Sequence, residues 1–391
     1  MKLINLNIFK QFLKSSTAGG IILFACVIIS LIIANSPLAD TLSDILNYHI
    51  GYESETVQLN YSILLWINDG LMAIFFLLVG LEIKRELVEG ELSSPKKAML
   101  PILAAIGGAL LPAAIYTVIN LGEVTQHGWG IPMATDIAFA LAVVTMLGKK
   151  VPASLKIFLA ALAIVDDLLA ILVIAVFYSG DLHFTYLLYA LGIFIVLLGF
   201  NRFGVKNIWA YLIPGIFIWY FIHHSGIHAT IAGVLVAMTL PTTPDAQASP
   251  LEKLEHALTN PVNFIIIPLF ALANTNITIH QEMIAGLTSA LGVGIIAGLI
   301  VGKTVGILTT CYISTKLKIS SLPENANWMH ITGTGLLAGI GFTMSIFISI
   351  LSFDDQLLID EAKFAVLIGS LISGLLGYLV LSSASRKNAV N

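Results

Sequence analysis

The chain has 391 residues, of which 57% are hydrophobic and 11% charged, with a formal charge of −4. A soluble domain carries roughly 25% charged residues, so this chain has too little polar surface for water, which excludes a large soluble enzyme and a disordered or fibrous protein. The acidic balance argues against a nucleic-acid binder, and Cys26 and Cys311, both in apolar stretches, indicate neither a disulfide framework nor a metal site.

A bilayer core requires a helix of about 20 mostly apolar residues. About twelve such segments occur, centred near Ala25, Phe75, Gly108, Asp136, Leu168, Phe194, Phe217, Gly233, Pro268, Gly298, Gly339 and Leu371. The expected fold class is an all-α polytopic membrane protein, one integral domain over residues 1–391. The first segment follows Lys10 and Lys14 without a cleavage-site pattern and reads as a retained helix. The loop over residues 36–60 holds Asp40, Asp44, Glu53 and Glu55, and its stretch "HIGYESETVQLNYS" suits a small β-hairpin.

At the end of the second span, "GLEIKRELVEGELSSPKK" groups Glu82, Arg85 and Glu86, and Glu255 and His256 follow the later polar linker. These are either interface charge or a cation-attracting entrance that responds to cytoplasmic pH. In "FIHHSGIHATIAG", His224 and His228 share a helical face, as satisfied polar groups or as a pH-responsive pair. Basic residues flank the spans alternately: 17 of the 19 Lys and Arg fall on one side, Lys303 and Lys363 being the exceptions. The positive-inside rule then places both termini in the cytoplasm. The glycines of "GLTSALGVG" and "GTGLLAGIG" lack a following Lys-Ser/Thr, which argues against an ATP-driven pump.

Four ionisable residues lie deep in apolar segments: Asp136, Asp166, Asp167 and Lys303. Each costs about 2.5–3.5 kcal/mol at a helix centre, which points to an ion or proton path, with a structural ion-pair network as the simpler reading. Asp166 and Asp167 are adjacent, so they point about 100° apart around a helix. Two carboxylates that close resist double ionisation, and oxygen ligands suit a hard cation, so the pair suits a site that holds either a cation or protons. Two roles fit Lys303 equally: a structural counter-charge, or a second proton carrier.

Thr135 and Asp136 sit in a segment opened by Gly130, Pro132 and Ala134, and "HITGTGLLAGIGFTMSIF" carries Gly333, Gly335, Gly339 and Gly341. Both segments suit interrupted helices, whose half-helix ends place partial charges inside the membrane. Each is the second span of a triplet, over residues 95–178 and 286–383, and the triplets have opposite orientations. An inverted repeat with two crossing broken helices, spans 4 and 11, is therefore expected, with the substrate site at the crossing.

The stretches "NDGLMAIFFLLVGLEIKREL", "GWGIPMATDIAFALAVV", "LKIFLAALAIVDDLLAILVIA", "SGIHATIAGVL", "LEHALTNPVNFIIIPLFALAN" and "GLLAGIGFTMSIFI", in this order and together with Lys303, resemble the NhaA family of bacterial Na⁺/H⁺ antiporters over nearly the whole chain. The resemblance implies a pH-regulated antiporter of the bacterial inner membrane that exchanges Na⁺ or Li⁺ for H⁺ without a cofactor. Salt tolerance and pH homeostasis would be its roles, and a homodimer would meet at the hairpin. It implies that Asp167 is the surest Na⁺/Li⁺ ligand, that Asp166 pairs with Lys303, and that Thr135 and Asp136 occupy the crossing. It also implies that Glu82, Arg85, Glu86, Glu255, His256 and His228 set the response to pH. One departure is Thr259, where a second histidine is expected three residues after His256. More than one proton per Na⁺ would make the exchange electrogenic. A cation channel or an organic-anion symporter on a similar scaffold are the alternatives, and neither requires a counterion-paired "DD…K" across two inverted triplets.

Overall fold

Every one of these apolar segments is helical in a computed structural model, which describes residues 16–54, 58–242 and 249–388. Lys2, Lys10, Lys14, Glu55 and most of the polar linker lie outside the described residues. Seven helices are long and apolar enough to cross a membrane: α3 (Ile63–Val88), α4 (Pro95–Ile119), α6 (Ala153–Phe177), α7 (Phe184–Arg202), α10 (Pro250–Asn274), α11 (Ala290–Lys316) and α14 (Gln356–Ala384). Three segments are bent pairs. Helix α1 (Ser16–Ala34) turns by 111° into α2 (Ala39–Asn47). The 3₁₀ segment Val124–Met133 meets α5 (Ile137–Met146) at 42°, and α12 (Trp328–Ala338) meets α13 (Phe342–Ser352) at 45°. The two remaining segments are the shorter α8 (Trp209–His223) and α9 (Ile231–Thr239).

The hairpin forms as expected. Strands β1 (His49–Ile50) and β2 (Tyr61–Ser62) pair antiparallel, with His49 opposite Ser62 and Ile50 opposite Tyr61. Trp66 Nε1 donates to the Ile50 carbonyl at 2.9 Å and ties the hairpin to the start of α3.

The contacts divide the chain into two units, with α1 and α6 passing from one to the other. The first holds the residues up to Cys26, 94–170 and 279–391. In it α4 and α11 meet through small residues: a Cβ on Gly107 or on Gly306 would collide with the other's backbone carbonyl. Backbone contact of this kind is the usual way for apolar helices to associate where lipid gives no hydrophobic drive. The second unit holds residues 27–93 and 171–278. Its core gathers Leu77, Leu81, Tyr211, Ile218, Val236 and Leu251. In contrast, α7 buries Ala190 and Leu197 and exposes Leu188, Leu191, Ile195 and Val196. A surface this apolar is stable against lipid and not against water.

Candidate functional site

The two bent helices of the first unit are broken for local reasons. Pro132 has no N–H, and residues 134–136 run extended, with ψ of 152° at Ala134 and 99° at Asp136. The second break falls at Gly339–Gly341, between α12 and α13. Gly333 and Gly335 lie within α12 instead, where a Cβ would press on Leu381 and Thr304 respectively.

The breaks are tied to each other. The Asp136 N–H donates to the Ile340 carbonyl at 2.6 Å, and the Thr135 hydroxyl donates to the Ala338 carbonyl at 2.7 Å. Asp136 then serves two helix N-termini with one carboxylate. Its Oδ1 accepts the Phe139 N–H at 3.1 Å and caps α5. Its Oδ2 accepts the Thr343 N–H at 3.2 Å and the Thr343 hydroxyl at 2.5 Å, in the first turn of α13. A carboxylate offsets the positive end of a helix dipole, and these two ends face it together.

Lys303 supplies the opposite charge. Its Nζ donates to the Met133 carbonyl, at the end of the 3₁₀ segment, and to both Asp166 oxygens, at 2.9 and 2.7 Å. An ammonium at a carbonyl end complements the negative half of the dipole. Lys303 is fully buried, and Asp166 and Asp167 are 2% and 4% exposed. Two charges out of water are tolerated because they meet each other and the broken backbone. Asp167 is the next residue on α6 and lies within electrostatic range of Lys303. The site therefore presents one carboxylate held by a lysine and a second beside it, next to two helix interruptions. An apolar replacement at Asp136 leaves both N-termini without their acceptor. Asp136→Ala should lower stability by roughly 2–4 kcal/mol, as the loss of two caps, while Asp136→Asn keeps one acceptor and should cost less; thermal unfolding in detergent measures both.

The second unit gathers other charges. Arg85 on α3 donates from Nε to Glu255 on α10, at 3.0 and 3.1 Å, and from a terminal nitrogen to Glu86 at 2.7 Å. Glu82, one turn back, lies within electrostatic range of all three. His256 is exposed, and among the described residues it has no hydrogen-bond or ion-pair partner. Thr259 bonds back to the Glu255 carbonyl at 2.7 Å. Lys84 places its ammonium on the Met238 and Leu240 carbonyls, at 2.7 and 2.5 Å, and so closes the C-terminal end of α9. His228 reaches the Tyr178 carbonyl at 2.6 Å through Nε2.

Sequence reading missed two groups. Thr343 holds Asp136, yet a lone Thr in "GFTMS" looks like an ordinary polar residue in a membrane helix. Asp69 is half-buried in the π-helical turn Trp66–Leu71 and pairs with His223 Nδ1 at 3.1 Å. A carboxylate at the start of the second apolar segment was the available signal.

A family described as Na⁺/H⁺ antiporter 1 matches residues 10–381. The chain is 62% identical over 386 residues to Na⁺/H⁺ antiporter NhaA 2 of Flavobacterium johnsoniae, covering 98% of this chain and 95% of that one. It is 50% identical over 384 residues to Na⁺/H⁺ antiporter NhaA of Flavobacterium psychrophilum, covering 98% of each. Against Na⁺/H⁺ antiporter NhaA 1 of Clostridium beijerinckii the identity is 47% over 386 residues, covering 98% of this chain and 96% of that one.

Proposed function

The chain belongs to the Na⁺/H⁺ antiporter 1 family, and on that premise we propose that it exchanges cytoplasmic Na⁺ or Li⁺ for external H⁺ at Asp167 and Asp166. The protein is a multi-pass membrane transporter and not an enzyme. The observation that carries the assignment of the site is the buried carboxylate pair, one member already held by Lys303.

The chemistry follows from competition. A monovalent cation in an apolar surround takes oxygen ligands and is held best by an ionised carboxylate. A proton on the same carboxylate removes the charge that holds the cation. Cation and proton therefore exclude one another at Asp167, and alternating exposure of that site to the two sides couples their movements. Thr135 and Asp136 hold the broken helices against each other, so that their polar ends face the site without exposing unpaired backbone to lipid. The segments 95–178 and 286–383, each with its bent helix in the middle, act as the inverted repeat. More than one proton taken up per Na⁺ released would move net charge and draw on the membrane potential.

Regulation by cytoplasmic pH is assigned to Glu82, Arg85, Glu86 and Glu255, where two carboxylates bond one guanidinium, a third lies within electrostatic range, and the balance of charge changes with each proton. Exposed His256, and His228 on the Tyr178 carbonyl, add titratable groups. The Lys/Arg distribution supports cytoplasmic termini in a bacterial inner membrane, with the hairpin outside, and the likeness to the NhaA family supports a homodimer that meets at the hairpin.

In proteoliposomes holding a pH gradient, Na⁺ or Li⁺ should dissipate the gradient, K⁺ should not, and an imposed potential should change the rate. Dissipation by every monovalent cation alike, with no proton coupling, would favour a channel and sink the exchange.

A further inference from the structure

Away from the carboxylate pair, the second unit holds a compact cluster of titratable and aromatic groups at its hairpin end. His223, the last residue of α8, places Nδ1 3.1 Å from Asp69 Oδ2. The imidazole is stacked on Trp219, with ring centres 5.7 Å apart and planes 20° apart. Trp219 in turn stacks on Trp66 at 5.8 Å and donates from Nε1 to the Asp69 carbonyl at 3.3 Å. Tyr61 of the hairpin meets His223 edge to face at 4.9 Å and Trp66 at 5.9 Å. Trp66 is itself bonded to Ile50 of the other strand. One histidine thus touches a carboxylate on α3, an indole on its own helix and a phenol on the hairpin.

The other titratable groups nearby divide clearly. Tyr61 is the group that β2 contributes. On its own helix and just beyond it, His223 has Tyr220 and His224, the latter in ring contact with His223 at 5.3 Å. Tyr186 of α7 faces His224 at 5.7 Å. His228, in the link to α9, lies within electrostatic range of Asp69. Among all these, Asp69 is the only carboxylate, and His223 is the residue paired with it.

We propose that His223 and Asp69 form a proton-operated clasp on the hairpin side of the membrane, which makes the exchange sensitive to the pH of that side. Neutral His223 makes one hydrogen bond to Asp69. Protonated, it becomes the cationic half of an ion pair, and the same charge is stacked on the indole of Trp219, where a cation is attracted to the ring. The partners it grips all belong to elements that meet at the π-helical turn of α3. Such turns are weak points in a helix and recur where helices have work to do. The same α3 carries Arg85 at its other end, so a fastened clasp restrains the helix that holds the cytoplasmic charge cluster. Acid on the hairpin side therefore slows exchange beyond what the changed gradient dictates.

Two measurements test this, and only the second rests on the exchange reading. The first uses tryptophan fluorescence of the purified protein in detergent. A protonated imidazole stacked on an indole quenches its emission. The wild type should lose fluorescence as the pH is lowered from 7.5 to 5.5, His223→Gln should not, and His224→Gln should behave like the wild type. A transition that persists in His223→Gln overturns the clasp. The second follows ²²Na⁺ efflux from vesicles of one orientation, with inner pH fixed and outer pH stepped from 7.5 to 5.5. The ratio of wild-type rate to His223→Gln rate cancels the driving force. It should fall severalfold as the hairpin side is acidified and stay constant when only the other side is acidified, and Asp69→Asn in place of His223→Gln should give the same pattern. A ratio that stays flat or rises on hairpin-side acidification overturns the proposal. Absence of Na⁺/H⁺ exchange in the wild type itself would instead sink the exchange reading, and the fluorescence arm alone would then decide the clasp.

Discussion

Asp167→Asn should abolish Na⁺-dependent exchange while leaving the protein folded in the membrane. Asp167 is buried on α6 directly after the residue that Lys303 neutralises. Replacing its carboxylate with an amide removes the charge that a cation needs and the group that a proton occupies in its place. A hydrogen bond or ligand contact to a charged group is worth up to about 3 kcal/mol, or roughly 100-fold in affinity, so Na⁺ at physiological concentration should no longer occupy the site. The proton-carrying half is lost outright, because an amide does not titrate. Stability should move the other way. The amide has nearly the same shape, needs no counterion, and relieves the like charge next to Asp166. The unfolding temperature should equal or exceed that of the wild type. The measurement is Na⁺-dependent dequenching of a ΔpH-sensitive dye, run beside thermal unfolding of the same preparation. Wild-type dequenching by a stable Asp167→Asn protein would remove Asp167 from the ligand set.

The second large effect is expected at Lys303 and Asp166. Each is buried, and the pair is joined by two hydrogen bonds, at 2.7 and 2.9 Å. Removing one member leaves the other charged and alone in a medium that does not solvate it, at a cost of roughly 3–5 kcal/mol. Asp166→Asn and Lys303→Gln should each be destabilising on that scale, and the double variant should cost less than the sum of the two. The two single changes are not equivalent. Lys303 also donates to the Met133 carbonyl at the end of the broken 3₁₀ segment, so its loss uncovers a helix end as well as a carboxylate. Lys303→Gln should therefore be the more damaging change, and the double variant should retain a residual penalty. Thermal unfolding in detergent at fixed pH and Na⁺ gives all four corners of the cycle. Strict additivity would show that the two residues are independent and that their short contact carries no energy. Transport by the double variant is a separate readout. Exchange that continues with its usual dependence on membrane potential would confine Lys303 to a structural role. Exchange that loses that dependence would make it a proton carrier.

The chain order of residues was enough to read much of this molecule. Hydropathy is a local property: a window of about 20 apolar residues has to be a helix in lipid, because every backbone N–H and C=O must be satisfied within the segment. The succession of spans, the Lys/Arg alternation, the hairpin and the presence of a break in the segment of Asp136 and in the segment of Gly333, Gly335, Gly339 and Gly341 all follow from residues close together in sequence. So does the suspicion that falls on Asp136, Asp166, Asp167 and Lys303, since a charge in an apolar window is visible without any fold.

Tertiary structure alone decided which groups meet. Asp136 takes Thr343 across 207 positions, and Lys303 takes the Met133 carbonyl across 170. No composition or spacing rule selects a single threonine or one backbone oxygen at such distance. Gly333 and Gly335 resemble Gly339 and Gly341 in sequence, yet they lie in helix against Leu381 and Thr304 and not at the break. His223 and Asp69 pair across 154 positions, and their residue types occur in two unrelated apolar segments. The reason is physical. A helix in lipid is specified by its own side chains, but its partner is chosen by close packing of small residues and by which polar ends remain to be satisfied. Both are properties of surfaces that exist only after the helices have come together.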